Sequence, residues 1–156
     1  MRNIFKLAVS IGAPLLAGGI GSLFTASSLD VWYMSLLKPS LNPPGWVFGP
    51  VWTTLFVLMG SAAFLIWKKA EKNRQARTAL IIFGIQLILN VFWSILFFGL
   101  QSPGGAFIEI IFLWVSILCT IIAFAKISKL AAWLLVPYII WVSFAGYLNY
   151  WIYALN

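Results

Sequence analysis

Apolar residues run along this chain in five stretches, each long enough to cross a lipid bilayer as a helix. A membrane-spanning helix needs about 20 mainly apolar residues, and such runs lie at roughly 5–27, 46–67, 78–100, 106–125 and 130–153. Helices satisfy their own backbone hydrogen bonds in lipid. The pattern therefore predicts an all-α, polytopic membrane protein, with one domain of five transmembrane helices over residues 1–156.

The basic residues follow the alternation of these runs. Only Lys38 lies on one side of a five-span bundle, and nine basic residues lie on the other: Arg2, Lys6, Lys68, Lys69, Lys72, Arg74, Arg77, Lys126 and Lys129. Cytoplasmic connections carry the excess of Lys and Arg, so we expect a cytoplasmic N-terminus and a C-terminus outside. The same placement accounts for the net charge of +7 and argues against a nucleic-acid partner.

Composition agrees with a membrane protein and excludes several kinds of enzyme. Hydrophobic residues make up 63% of the chain and charged residues 8%, against about 25% charged in soluble domains. Without histidine, a zinc site or a Ser-His-Asp hydrolase is excluded, and no metal site is predicted. The single cysteine, Cys119, is expected to be buried as a small hydrophobic residue. The three acidic residues form no close pair for conventional acid–base catalysis.

A stiff segment joins the first two spans. Residues 39–52 read PSLNPPGWVFGPVW, and each proline fixes its own φ and pushes the preceding residue toward extended backbone. We therefore predict an extended strap over 41–44 and a first turn at 45–48. The second helix proper should begin near Gly49. Such a loop could cover the outer end of the bundle.

Three spans carry aromatic and amide residues on one helical face. The faces are Trp52, Phe56 and Met59, then Gln86, Asn90, Trp93 and Phe97, then Trp141, Ala145, Leu148 and Asn149. Polar amides in membrane helices face the bundle interior. They could simply bond across helices, or they could help line a pocket for a flat, apolar ligand.

Small residues repeat along the first span. Ala13, Ala17 and Gly21 recur at four-residue spacing, with Gly18 beside them. Small residues at this spacing let membrane helices approach closely. The first span should therefore pack tightly against a neighbour.

The sequence resembles a known family in all five spans. The stretches that carry the likeness are NPPGWVFGPVW at 42–52, QLILNVFW at 86–93, FFG at 97–99, PYIIW at 137–141 and LNY at 148–150. They resemble the signature of the translocator protein family, also called tryptophan-rich sensory proteins or peripheral-type benzodiazepine receptors.

The resemblance implies a five-helix bundle, usually a homodimer, with a ligand cavity closed by the loop after the first helix. It implies porphyrins, including haem, and other tetrapyrroles as ligands, together with benzodiazepine- and isoquinoline-type compounds, and no required cofactor. By position, the implied ligand-binding residues are Tyr33, Pro43, Trp52, Phe56, Asn90, Trp93, Trp141, Phe144 and Ala145.

One departure from the family concerns sterols. Animal members carry a leucine or valine, a tyrosine and a basic residue near the C-terminus. Here Leu148 and Tyr150 are present, but no basic residue follows them. This pattern argues against sterol binding, and the charge asymmetry favours a bacterial plasma membrane rather than a mitochondrial one.

Three functions remain open at this point. The first is a sensory or regulatory protein that binds tetrapyrroles, with metal-free porphyrin bound about as well as haem because histidine is absent. The second is light- and oxygen-dependent porphyrin breakdown, with Trp52 and Trp141 as electron donors. The third is porphyrin transport, although the sequence shows no inverted repeat of the kind that transporters often have.

Overall fold

The computed structural model describes residues 2–156, and helices make up nearly all of this part of the chain. The helices are α1 Arg2–Ser28, continued by a π-helical turn Leu29–Tyr33; α2 Phe48–Trp67, preceded by a 3-10 turn Gly45–Val47; α3 Arg74–Ser94, continued by a π-helical turn Ile95–Gly99; α4 Pro103–Ala125; α5 Lys129–Leu134; and α6 Val136–Leu155. Five segments are long and apolar enough to cross a membrane. The predicted all-α, five-span membrane fold is confirmed.

Side-chain caps explain why two helices begin before the predicted spans. The Asn73 side chain accepts hydrogen bonds from the backbone N–H groups of Gln75 and Ala76, at 2.9 and 3.3 Å, so α3 begins at Arg74. The Ser102 hydroxyl accepts from the Gly105 N–H at 3.2 Å, so α4 begins at Pro103. Capping oxygens satisfy N–H groups that the first turn leaves free. A hydropathy pattern contains no information on such capping bonds, so it could not predict where these two helices begin.

The fifth span is two helices rather than one. The segment Lys129–Leu155 is broken between α5 and α6 at Leu135, two residues before Pro137. Proline has no N–H to donate and its ring crowds the preceding turn. At the break the Leu135 N–H bonds back to the Ala132 carbonyl at 3.1 Å.

Contacts between the basic connections gather them at one end of the bundle, which we call the basic end. Arg2 and Lys6 of α1 form ion pairs with Glu71, in the connection between α2 and α3. From the same connection, the Lys69 ammonium donates to the Ile127 carbonyl at 3.0 Å, between α4 and α5. The structure thus brings together the three segments that the charge pattern grouped. The side of the membrane that they face stays a prediction.

The connection between α1 and α2, residues 34–44, lies at the opposite end and is called the strap. Leu41 was predicted to be extended, but it lies in a turn in which the Asn42 N–H donates to the Pro39 carbonyl at 3.0 Å. Asn156 fixes the strap from the end of α6, because its amide exchanges hydrogen bonds with the Leu37 N–H at 3.0 Å and carbonyl at 2.8 Å. The 3-10 turn over 45–47 confirms the predicted lead-in to α2.

Helices α1 and α2 touch most closely at a glycine of α2. Gly60 is buried, and a Cβ placed there would lie 2.5 Å from both the Ile11 Cα and the Ser10 carbonyl oxygen. Two helix backbones therefore meet with no side chain between them. Helix α1 packs closely against a neighbour, as predicted, but this contact lies at Ser10 and Ile11 rather than at the predicted small residues, and the glycine that permits it is on α2.

Replacing Gly60 by alanine should destabilise the bundle, because the new Cβ would collide with the α1 backbone. Overpacking of this kind typically costs about 1–3 kcal/mol, so the apparent Tm of the purified protein in detergent should fall. Gly84→Ala is the matched control, because nothing lies within 4 Å of a Cβ at that position and alanine favours a helix interior at both sites. Equal Tm values for the two variants would contradict this packing.

Candidate functional site

A cavity of about 590 Å³ opens inside the strap half of the bundle. Its wall comes mainly from α1, α2, α3 and α6, with α4 and the strap completing it. The lining residues are Leu15, Ala17, Gly18, Gly19, Gly21, Ser22, Thr25, Leu29, Tyr33, Asn42, Gly45, Phe48, Gly49, Trp52, Thr53, Phe56, Asn90, Trp93, Ser94, Phe97, Phe98, Ile110, Leu113, Trp141, Val142, Ala145, Leu148, Asn149 and Ile152. The three aromatic faces read from the sequence therefore meet at one cavity.

Most of the predicted site residues lie on this wall. The structure brings together Tyr33, Trp52, Phe56, Asn90, Trp93, Trp141 and Ala145. Whether these residues contact a ligand stays a prediction.

Pro43 and Phe144 do not line the cavity. Asn42 does, and successive side chains of an irregular, extended stretch tend to point in opposite directions. Phe144 precedes the lining residue Ala145 on α6. Its ring instead packs against Trp141, with centroids 5.7 Å apart, and against Tyr147 at 6.3 Å.

A buried tyrosine joins two of the amides at the cavity's inner edge. The Tyr138 hydroxyl donates to Gln86 Oε1 and accepts from Asn90 Nδ2, both at 2.7 Å. Gln86 does not line the cavity, whereas Asn90 does. Asn90 Oδ1 forms no hydrogen bond with residues 2–156. Both alternatives left open by the sequence therefore apply, since the amides bond across helices and one of them also faces the cavity.

A second network fixes a tryptophan at the strap side of the cavity. The indole N–H of Trp93 donates to Asn149 Oδ1 at 2.9 Å, and the Asn149 amide donates to the Pro103 carbonyl at 2.8 Å. Three helices, α3, α4 and α6, are joined by one side chain. Because such bonds hold the Trp93 ring in one orientation, its face presents a fixed wall to the cavity.

The two π-helical turns bring aromatic side chains to the strap end of the cavity. They lie side by side, and the Ser28 hydroxyl donates to the Phe98 carbonyl where they meet. Tyr33 from the first turn, and Phe97 and Phe98 from the second, line the cavity. A π-helical turn inserts one residue into a helix and often occurs at functional sites. No pattern in the sequence predicted either turn.

Residues of α1 form a large part of the cavity wall. The sequence pattern did not predict this contribution. Gly18 is the clearest case, because a Cβ there would lie 2.5 Å from the Phe56 ring. A Cβ at Gly21 would lie 3.1 Å from the Ser94 hydroxyl oxygen. The repeat of small residues on the first span was the available signal. It indicated close packing and, in the structure, it also leaves room for cavity side chains.

The cavity reaches the lipid-facing surface between α1 and α2. Gly19 and Ser22 of α1, and Gly49 and Thr53 of α2, line the cavity and are also exposed. The same two helices are in backbone contact at Gly60, nearer the basic end. The seam between them is therefore closed at one end and open toward the strap.

None of the lining residues is a lysine, arginine, aspartate or glutamate. The acid within a span, Glu109, is not among them, and its two carboxylate oxygens are buried without a hydrogen-bond partner in residues 2–156. The side-chain cap of α4 is Ser102. The expectation that Cys119 is buried is wrong, since this residue is exposed on the outside of the bundle.

Comparison with known proteins identifies the family. The sequence profile described as the TspO/MBR family matches residues 10–155. The chain belongs to the TspO/MBR family. It is 46% identical over 155 residues to the tryptophan-rich protein TspO of Chlorobaculum tepidum, covering 99% of this chain and 98% of that one.

More distant TspO/MBR relatives match along most of the chain as well. The translocator protein of Homo sapiens is 38% identical over 145 residues, covering 92% of this chain and 86% of the human one. The tryptophan-rich sensory protein of Cereibacter sphaeroides is 35% identical over 145 residues, covering 93% and 85%. The resemblance read from the sequence motifs is thus confirmed.

Replacing Tyr138 by phenylalanine should lower stability while leaving the ring in place. The change removes the hydroxyl that Gln86 and Asn90 share, and each buried polar group left unpaired costs about 1–3 kcal/mol. We expect a clear fall of Tm in detergent, followed by circular dichroism. Tyr147→Phe is the control, because Tyr147 is exposed and its hydroxyl makes no hydrogen bond with residues 2–156. A Tm unchanged by Tyr138→Phe would rule out this network as a source of stability.

Proposed function

We propose that this TspO/MBR protein binds tetrapyrroles such as protoporphyrin in the cavity between its helices, under the strap. The observation that carries the proposal is a cavity without charged residues, walled by aromatic rings from α2, α3 and α6. Ligand sites are typically concave and mostly apolar, with a few polar groups that set orientation. The cavity volume of about 590 Å³ is within the usual range of about 300–1,000 Å³.

The wall suits a flat ring system in particular. Trp52 and Phe56 are stacked with centroids 5.5 Å apart, and Trp93 and Phe97 at 5.0 Å. Each pair offers a planar surface to a macrocycle, because aromatic rings favour offset stacking. Among the lining residues only Tyr33 has a side chain that commonly ligates haem iron. This composition supports binding through stacking, with or without a metal in the ring.

A sensory or regulatory role in tetrapyrrole handling is the output that we propose. One of the relatives is named a sensory protein, and the cavity has no acid–base pair for conventional catalysis. We further propose a homodimer in a bacterial plasma membrane, with the basic end in the cytoplasm, because positive charge marks the cytoplasmic side. The benzodiazepine- and isoquinoline-type compounds would use the same cavity.

Filling the cavity should abolish porphyrin binding without unfolding the protein. Ala145 lines the cavity from α6, so Ala145→Phe would place a ring in the space for the ligand. We expect the dissociation constant for metal-free protoporphyrin to rise at least about tenfold, or 1.4 kcal/mol, as measured by quenching of tryptophan fluorescence.

Ile140→Phe is the matched control, since Ile140 lies on the same helix and is 62% exposed. It should bind like the wild type. If Ala145→Phe is folded and binds porphyrin with wild-type affinity, the ligand does not occupy this cavity.

Light-dependent porphyrin breakdown is a second candidate, favoured by one observation. Trp52 and Trp141 line the same cavity from different helices, so both indoles would lie beside a bound macrocycle. An illuminated porphyrin can take one electron from an indole and pass it to dioxygen, which gives an indole radical cation and superoxide. These two species are formed next to the ring that would be degraded.

Replacing either cavity tryptophan by phenylalanine should slow porphyrin bleaching under light, because a phenyl ring is a much poorer electron donor. The measurement is loss of porphyrin absorbance under illumination, in air and without oxygen. Trp133→Phe is the control, because Trp133 is 69% exposed and lies outside the cavity. If the Trp52→Phe and Trp141→Phe variants still bind porphyrin and bleach it at the wild-type rate, the two tryptophans only line the cavity and donate no electron.

A further inference from the structure

Lys38 is the basic residue that stands apart from all others in this chain. The other nine lie at the basic end or in the helical turns beside it, where contacts link Lys6 to Glu71 and Lys69 to Ile127. Lys38 is in the strap, at the end where the cavity lies. Neither the five-span fold nor the gathering of the basic end accounts for a cation at this position.

The structure holds the Lys38 ammonium next to the cavity wall. Its Nζ lies 4.6 Å from the centroid of the Tyr33 ring and donates to the Leu36 carbonyl at 3.3 Å. Tyr33 lines the cavity, and its hydroxyl is hydrogen-bonded to the side chain of Asn42, which is another lining residue. The ammonium therefore lies against a ring that forms part of the cavity wall.

The ammonium retains donors for another partner. Lys38 makes one hydrogen bond with residues 2–156, and no carboxylate of that part of the chain lies within ion-pair distance. The nearest acid in sequence, Asp30, is exposed and forms no ion pair there. A lysine ammonium carries three N–H donors, so two of them remain free in the half-buried Lys38.

The cavity sets where a charged group of a ligand can go. None of its lining residues is charged, and an ionised carboxylate transferred into apolar surroundings without a partner is strongly disfavoured. A ligand that bears carboxylates must therefore keep them outside this lining. We call the strap end of the cavity, toward which the seam between α1 and α2 opens, its mouth. Lys38, beside Tyr33 at the strap end, is the cation available there.

We propose that Lys38 is the carboxylate-binding residue at the mouth of the cavity, and that the preferred ligands are flat apolar rings with an acidic edge. The ring body stacks inside, and a carboxylate at its edge pairs with the Lys38 ammonium under the strap. This inference rests on the proposed function. It selects acidic tetrapyrroles over their neutral derivatives.

The test compares protoporphyrin IX, which has two carboxylates, with its dimethyl ester, which has none. Dissociation constants are measured by quenching of tryptophan fluorescence in nonionic detergent, with empty micelles as the blank. In Lys38→Gln the diacid should bind about 2- to 5-fold more weakly, as expected for a half-exposed ion pair, and the ester should bind as in the wild type. Lys38→Arg should restore binding of the diacid.

Lys129→Gln is the matched control, because Lys129 is exposed at the basic end, and it should change neither constant. Added salt should reduce the preference for the diacid in the wild type, because salt screens ion pairs near the surface.

Two results would overturn this inference alone. Equal weakening of diacid and ester by Lys38→Gln would show that Lys38 only holds the strap, and unchanged binding of both would show that it contacts no ligand. Binding of neither ligand by the folded wild type would overturn the proposed function itself, and this inference with it. The dimethyl ester distinguishes these results, because its dissociation constant depends on the ring in the cavity and not on any carboxylate.

Discussion

Lipid offers no hydrogen bonds, so a polar group inside this bundle is stabilised chiefly by partners within the protein. Tyr138 is hydrogen-bonded to Gln86 and Asn90, and Asn149 is hydrogen-bonded to Trp93 and to a carbonyl of α4. Both arrangements join α3 to α6, one at the inner edge of the cavity and one nearer the strap. These polar groups, which are rare in membrane helices, thus fix the spacing of α3 and α6 around the cavity.

The cavity also depends on glycines, which leave space where other residues would have a side chain. Wall atoms beside empty space lose dispersion contacts, so a bundle of flexible apolar side chains would tend to fill it. Here much of the wall consists of aromatic rings, of which Trp93 is held by a hydrogen bond, and the Phe56 ring occupies room that Gly18 leaves open. Gly60 lets α1 and α2 meet at the other end of their seam. The seam then opens toward the strap, where exposed residues of both helices line the cavity.

The distribution of charged residues distinguishes two ends of the molecule, and different interactions hold each end together. At the basic end, Arg2 and Lys6 of α1 and Lys69 after α2 tie the helices to neighbouring connections. At the strap end, hydrogen bonds between Asn156 and Leu37 and packing of aromatic rings hold the structure. The cavity lies in the half with little charge, and none of its lining residues is charged.

The sequence determined the five spans, the grouping of the basic connections, the lead-in to α2 and the aromatic faces, because lipid burial and helical periodicity act within one segment. Seven of the nine site residues implied by the family resemblance lie on the cavity wall. All of these except Tyr33 also belong to the helical faces predicted from periodicity. Only the tertiary structure decided that α1 lines the cavity, that Phe98 joins it and that Pro43 does not. Those outcomes depend on π-helical turns and on how helices cross, and both are set by contacts between residues far apart in the chain.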